Sequence, residues 1–192
     1  MGSRRTFIKQ SAIAGAGITL APNIALASEW KGSEEKLRVG LIGVGLRGTN
    51  HLNNLLLRND ILVTAICDID QKRNEIALDM IEKYKQDPPK VFGKNDYDYR
   101  NLLELDDVDA VIISTPWLWH TKMAVDSMKA GKYAGVDVSA AKTIEECWDM
   151  VNTFEETGVP TMILENVCYR RDVMAVLNMV RQDVFGELIH AR

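Results

Sequence analysis

Residues Leu37–Asp68 read LRVGLIGVGLRGTNHLNNLLLRNDILVTAICD. An apolar run, Leu37–Ile42, meets the glycine turn Gly43-Val44-Gly45-Leu46-Arg47-Gly48. A helix-like segment follows to about Arg58, and a second apolar run, Ile61–Cys67, ends on Asp68. Strand, glycine turn, helix, strand and acid follow one another in the order that binds a dinucleotide.

Each residue type has a physical job. Gly43 permits a tight turn out of the strand, Gly45 has no Cβ to hold off a pyrophosphate, and Gly48 lets the helix pack close to the strand. The helix N-terminus offers free N–H groups and the positive end of its dipole to phosphates. Asp68 stands 20 residues past Gly48, where a carboxylate accepts hydrogen bonds from the adenosine ribose hydroxyls. It repels a 2′-phosphate, which favours NAD over NADP. The competing reading is an ordinary strand-to-helix turn with Asp68 capping the next helix. The combined spacing favours the dinucleotide site.

Outward from this stretch, apolar runs alternate with amphipathic segments. Strands are expected at Leu37–Ile42, Ile61–Cys67, Lys90–Phe92, Asp109–Ser114, Tyr133–Val138 and Thr161–Leu164. Helices are expected near Thr49–Arg58, Gln71–Gln86, Tyr97–Leu103, Trp119–Ala130 and Ile144–Thr157. Pro88-Pro89 ends the second helix, and Gly131 and Gly158 are helix stops. Apolar strands between helices imply an α/β fold: a doubly wound parallel sheet covered on both faces, a Rossmann dinucleotide-binding domain over 37–169. Past Glu165 the pattern changes. Arg171–Asp183 reads as a helix stopped by Gly186, and Glu187–Arg192 as a strand. Residues 170–192 therefore read as the start of a second domain, truncated here, or as an extension pairing with the sheet or with a second copy in a homo-oligomer.

The N-terminal 27 residues read as a leader outside the fold. Ser3-Arg4-Arg5-Thr6-Phe7-Ile8-Lys9 has the form of a twin-arginine export signal, an apolar stretch runs Ala12–Ala25, and Ala25-Leu26-Ala27 is a small-x-small cleavage site. Gly15, Gly17, Pro22 and Asn23 break the stretch, which is too short to span a bilayer. Residues 28–36 are a polar linker. The expected partner is the twin-arginine machinery and the expected location the periplasm.

The 192 residues carry a formal charge of −4 and no basic stripe, which argues against nucleic acid as a partner. The three cysteines, Cys67, Cys147 and Cys168, lack C-x-x-C spacing. Cys67 on a strand and Cys147 on a helix read as core thiols. His51, His120 and His190 are far apart and have no ligand-like neighbours, so no metal site is expected.

By the fold rule, the loops after the last three strands face the second half of a dinucleotide. They are Ser114-Thr115-Pro116-Trp117-Leu118-Trp119-His120, Asp137-Val138-Ser139-Ala140-Ala141 and Glu165-Asn166-Val167-Cys168-Tyr169. Trp117 and Trp119 do not share a helix face, so one packs while the other lines the cleft. His120 is a site residue or a capping, solvent-facing histidine. Glu165, directly after a strand over the cleft, reads as an active-site carboxylate rather than a turn residue. Tyr169 divides evenly between the site and the next helix.

The glycine turn with Asp68, the Ser-Thr-Pro loop running to His120 and the Ala130-Gly131-Lys132 passage resemble the glucose–fructose oxidoreductase/inositol dehydrogenase (Gfo/Idh/MocA) superfamily. Within it, Thr115–His120 and Glu165–Asp172 are similar to glycoside hydrolase family 109, NAD-dependent glycosidases described as acting on α-N-acetylgalactosaminides. The resemblance runs from about Arg38 to Arg192. It implies that Leu46 and Arg47 lie against the pyrophosphate and that Asp68 holds the adenosine ribose. Trp117, Leu118, Trp119 and His120 would border the nicotinamide, Asp137, Val138 and Asn166 would contact the cofactor, and Glu165 would stand near the sugar as the candidate catalytic group.

The superfamily's oxidoreductases end strand five with Glu-Lys-Pro, the lysine relaying a proton. Here the place reads Asp137-Val138-Ser139. The lysine is missing, as in the hydrolase branch, whose usual Glu-Val-Pro is also altered at Asp137 and Ser139. The shorter acid is expected to weaken a cofactor contact and the lost proline to loosen the loop. The resemblance implies a redox-neutral cycle. The sugar is oxidised at C3, loses its C2 proton and its aglycone, gains water and is reduced again. The family's tyrosine, arginine and histidine from the second domain have no counterpart before Arg192. Two rival readings stand beside this one: a periplasmic sugar oxidoreductase of the same superfamily, and a non-catalytic NAD-binding module.

Overall fold

A computed structural model describes residues 36–190. The expected export signal and all of the linker except Lys36 lie outside the described residues. Six strands, β1 (Leu37–Ile42), β2 (Ile61–Cys67), β3 (Lys90–Phe92), β4 (Ala110–Ile113), β5 (Tyr133–Val136) and β6 (Thr161–Ile163), form one sheet in the order β3-β2-β1-β4-β5-β6. Every pairing is parallel. The helices are α1 (Leu46–Leu56), α2 (Gln71–Lys83), α3 (Tyr99–Leu103), α4 (Trp117–Lys129), α5 (Ile144–Thr157) and α6 (Arg171–Arg181). This is the doubly wound order, and it reverses between β1 and β4, where such sheets open a crevice at the strand C-termini.

Successive side chains of one strand bury on opposite faces, as a sheet covered on both sides requires. Leu41 packs with Leu52, Leu56, Val63, Ile66 and Ile81 in the layer of α1 and α2. Its neighbour Ile42 packs with Tyr99, Leu102, Ile113, Met123 and Val136 in the layer of α3 to α5. Asp70 caps α2, its carboxylate accepting from the Lys72 N–H at 3.0 Å. Thr143 and Glu146 form a reciprocal capping box on α5. Gly158 ends α5 in the left-handed region at φ 70°.

β1, β2, β3 and α5 keep their expected limits, and the other shared elements differ by a few residues at their ends. Three expectations are corrected. Glu187–His190 form no strand: no described strand runs beside them, and a lone extended segment has only water for its peptide groups. The last helix ends at Arg181, before Gly186, because Asp183 itself takes a left-handed φ of 57°; aspartate tolerates that region through local hydrogen bonding. Cys147 is exposed, as is Cys168, while Cys67 is buried. Cys147 lies on the outer stripe of α5 with Val151 and Phe154, whereas Met150 and Thr153 make its buried stripe.

Burial, then the charges of Asp98 and Asp68, push the Cys67 thiol up to about 12. A disulfide reagent added to folded protein at pH 8 should titrate Cys147 and Cys168 rapidly and Cys67 only on unfolding; three equal rates would contradict this burial. Asp98 holds the turn after β3, accepting from Gly93 N at 2.6 Å, Lys94 N at 2.8 Å and Asn101 Nδ2 at 2.6 Å. These bonds, led by the Gly93 N–H, hold its carboxyl below its ordinary value. The stabilisation is therefore complete above that ordinary value, near pH 4, and is lost as pH falls through the lower folded value. Asp98→Ala should cost about 1–3 kcal/mol in urea unfolding at pH 7, with a smaller deficit in acid. A wild-type midpoint at pH 7 would refute the role.

Candidate functional site

The glycine turn shows why its three glycines are needed. Gly43 sits at φ 88°, and a Cβ there would stand 2.7 Å from the Ser114 carbonyl oxygen. A Cβ on Gly48 would stand 2.0 Å from the Gly43 oxygen, so α1 starts hard against the end of β1. A Cβ on Gly45 would meet nothing within 4 Å: its space is open, as close approach by a ligand requires. Gly45 is the N-cap of α1, with no side-chain cap and no acid in the first turn. The early N–H groups of α1 therefore have no side-chain acceptor, which leaves them for an anion. Leu46 is 83% exposed beside them.

Asp68 grips the turn itself. Its Oδ2 accepts from Val44 N at 2.8 Å and its Oδ1 from Asp70 N at 2.9 Å. The capping role belongs to Asp70. Asp68 also lines a cavity of about 210 Å³ with Gly43, Gly45, Asn95, Thr115 and Trp119. The position suits the adenosine half of a dinucleotide, on the β2 side of the switch point.

A second cavity, of about 390 Å³, opens on the β5 side and shares Ser114 and Thr115 with the first. Arg47, Trp117, His120, Asp137, Val138 and Asn166 complete most of its wall. The two tryptophans part, and Trp119 does not line the cavity on the expected nicotinamide side. Trp117 is exposed at this cavity, while Trp119 turns to the other and meets the Tyr97 ring edge-on at 5.4 Å. Leu118 is exposed and lines neither cavity. Asn166 reaches this wall. Glu165 does not: it accepts from Val167 N at 2.8 Å and lines an apolar groove beside α5.

His120 is buried, not solvent-facing. Its Nδ1 lies 2.8 Å from the Ser139 carbonyl oxygen and its Nε2 2.6 Å from that of Thr115. The ring thus bridges the loops after β4 and β5. A neutral imidazole donates to one of the two carbonyls; a doubly protonated ring donates to both.

Asp137 is the buried carboxylate of the site. Its Oδ1 lies 2.9 Å from His51 Nε2 and 3.5 Å from Arg47 Nε. Arg47 and His51 are one helical turn apart on α1 and share a face. Sequence reading missed His51, because its partner lies 86 positions away; the spacing from Arg47 was the only trace. The other oxygen, Asp137 Oδ2, is buried with no hydrogen-bond partner, and so is Ser114 Oγ. Both residues line the same cavity. Buried polar atoms are costly when unpaired, so this pair fits a ligand rich in hydroxyl or amide groups. Among the described residues no cluster of His, Cys, Asp or Glu could hold a metal.

An open glycine turn at a helix start, an acid at the end of β2 and two linked cavities at the switch point define a dinucleotide-binding protein of the Rossmann class. Residues 37–164 match the oxidoreductase family with an NAD-binding Rossmann fold, Gfo/Idh/MocA, and the chain belongs to that family. Residues 169–192 match the C-terminal domain of glycosyl hydrolase 109. A glycosyl hydrolase family 109 protein of Parabacteroides distasonis is 45% identical over 98% of this chain and 43% of its own length. An alpha-N-acetylgalactosaminidase of Tannerella forsythia is 44% identical over 98% of this chain and 44% of its own. The chain thus spans less than half the length of these relatives. Among solved structures, myo-inositol 2-dehydrogenase from Lactobacillus plantarum shares the fold at TM-score 0.69 and 18% identity, over 81% of this chain and 44% of its own. Scyllo-inositol dehydrogenase from Lactobacillus casei, solved with NAD(H) and scyllo-inositol, does so at TM-score 0.70 and 17% identity, over 80% and 43%.

The glycines separate binding from stability. Gly48→Ala should destabilise the fold by about 3 kcal/mol, measured by denaturant unfolding. Gly45→Val, at the N-cap of α1, should cost only about 1 kcal/mol and abolish NAD binding in calorimetry. Full NAD affinity in Gly45→Val would refute the placement of the pyrophosphate.

Proposed function

We propose that this chain is the cofactor-binding portion of an NAD-dependent glycosidase acting on α-N-acetylgalactosaminides. Its relatives carry that family name, and one carries that activity as its name. The observation that carries the reading beyond the fold is at the end of β5. Where the superfamily's oxidoreductases place a relay lysine, this chain has Val138, and no lysine lines the cavity around Asp137. A dehydrogenase that moves its alcohol proton through that lysine is thereby disfavoured.

Bound NAD supplies a reversible hydride acceptor, which suits a sugar oxidised and then reduced again within one turnover. The first turn of α1, with Gly45, Leu46 and Arg47, would hold the pyrophosphate. Asp68 would take the adenosine ribose, and Ser114 and Asp137 would orient the nicotinamide nucleoside. His120 ties together the loops that form this wall. Trp117 and Asn166 stand where a sugar would approach, and Glu165 becomes relevant only if the loop after β6 turns towards the cleft. Residues 170–192 would begin the substrate domain: α6 buries no residue against the sheet unit. Export of folded protein through the twin-arginine pathway would carry the coenzyme outward already loaded, and the periplasm is the proposed location.

Labelled solvent tests the chemistry. The whole enzyme containing this chain, given an aryl α-N-acetylgalactosaminide in deuterated water, should release sugar deuterated at C2 with no net change in the nicotinamide absorbance. Steady growth of that absorbance with an oxidised sugar would establish the oxidoreductase alternative. Unlabelled C2 in released sugar would rule out elimination.

A further inference from the structure

The Asp137 carboxylate is divided between two tasks, and a residue outside the cavity wall makes the division. His51 Nε2 lies 2.9 Å from Oδ1, and Arg47 Nε approaches the same oxygen at 3.5 Å. Oδ2 is left buried with no partner. The side chains of His51 and Asp137 are 15% and 9% exposed, so this is an interior pairing in which geometry matters more than at a surface. Without His51 the carboxylate could rotate about χ2, a broad torsion, and turn Oδ2 towards Arg47.

Resting on the NAD-binding reading above, we propose that His51 is a positioning residue for the cofactor site. It anchors Asp137 Oδ1 so that Oδ2, together with Ser114 Oγ, is held ready for a hydrogen-bond donor on the nicotinamide nucleoside. His51 does not line the cavity. It acts from the second turn of the helix whose first turn faces the phosphates, so one rigid element sets both halves of the site. Both neutral histidine protonated on Nε2 and the doubly protonated ring can donate this bond, so the role does not require a change of charge.

The test is a double-mutant cycle read by equilibrium binding of NAD, and of ADP as a ligand without the nicotinamide nucleoside, to the full chain. His51→Leu should weaken NAD binding roughly tenfold, the scale of one hydrogen bond to a charged group, and leave ADP within about twofold. His51→Gln, which keeps an N–H donor at similar reach, should restore most of the NAD affinity. In an Asp137→Asn background His51→Leu should have no further effect. Equal losses for ADP and NAD, or additive effects of His51→Leu and Asp137→Asn, would overturn the positioning role and mark His51 as structural. If His51→Leu proves unfolded by circular dichroism, His51→Gln decides: an affinity for NAD as weak as that of Asp137→Asn sinks the proposal. A wild-type chain that binds ADP and NAD equally would overturn this proposal alone, whereas one that binds neither would overturn the NAD reading itself.

Discussion

The structure turns on the absence of one carbon atom. With 2.0 Å between an imagined Gly48 Cβ and the Gly43 carbonyl oxygen, any other residue would push α1 away from the end of β1. That closeness fixes where the amino end of α1 stands, and the Asp68 carboxylate, bonded to Val44 N, keeps the turn from relaxing. Every other part of the site is placed relative to that helix. Arg47 and His51 reach Asp137 only because α1 begins immediately behind the strand, and the two cavities lie to either side of its first turn.

Much of the fold could be read in advance because local and tertiary signals agree. β1 and β2 are apolar on both faces, and α5 is bounded by a capping box and a left-handed glycine; all three kept their expected limits. α1 began three residues earlier than expected, at Leu46. The turn glycines, poor helix formers, had hidden its first turn. The expected strand at Glu187 failed for the opposite reason. Leu188 and Ile189 form a short apolar pair, but a strand is a relation to a neighbour, and no described segment supplies one.

The site was legible where one residue does one local job. The glycines and Asp68 follow from spacing, since strand, turn and helix are contiguous. Asp137 was legible as a strand-end acid, yet its environment was not: His51 joins it across 86 positions, and no periodicity encodes such a pairing. The same limit explains Trp119 and Glu165. Position after a strand told which end of the sheet they occupy, but where each side chain turns is set by its contacts, the Tyr97 ring for Trp119 in the first turn of α4 and the Val167 N–H for Glu165 in its loop.

A dinucleotide brings a doubly charged pyrophosphate close to two carboxylates, which Coulomb repulsion would oppose. This site answers by committing each carboxylate elsewhere. Asp68 accepts from two backbone N–H groups, and Asp137 faces an arginine and a histidine. Each retains hydrogen-bonding capacity towards a neutral hydroxyl, while part of its charge is offset before a ligand arrives. The helix dipole and the open N–H groups of α1 then act on the phosphates with less competition. A dinucleotide bound as proposed would be gripped at both ends by one helix and its immediate partners.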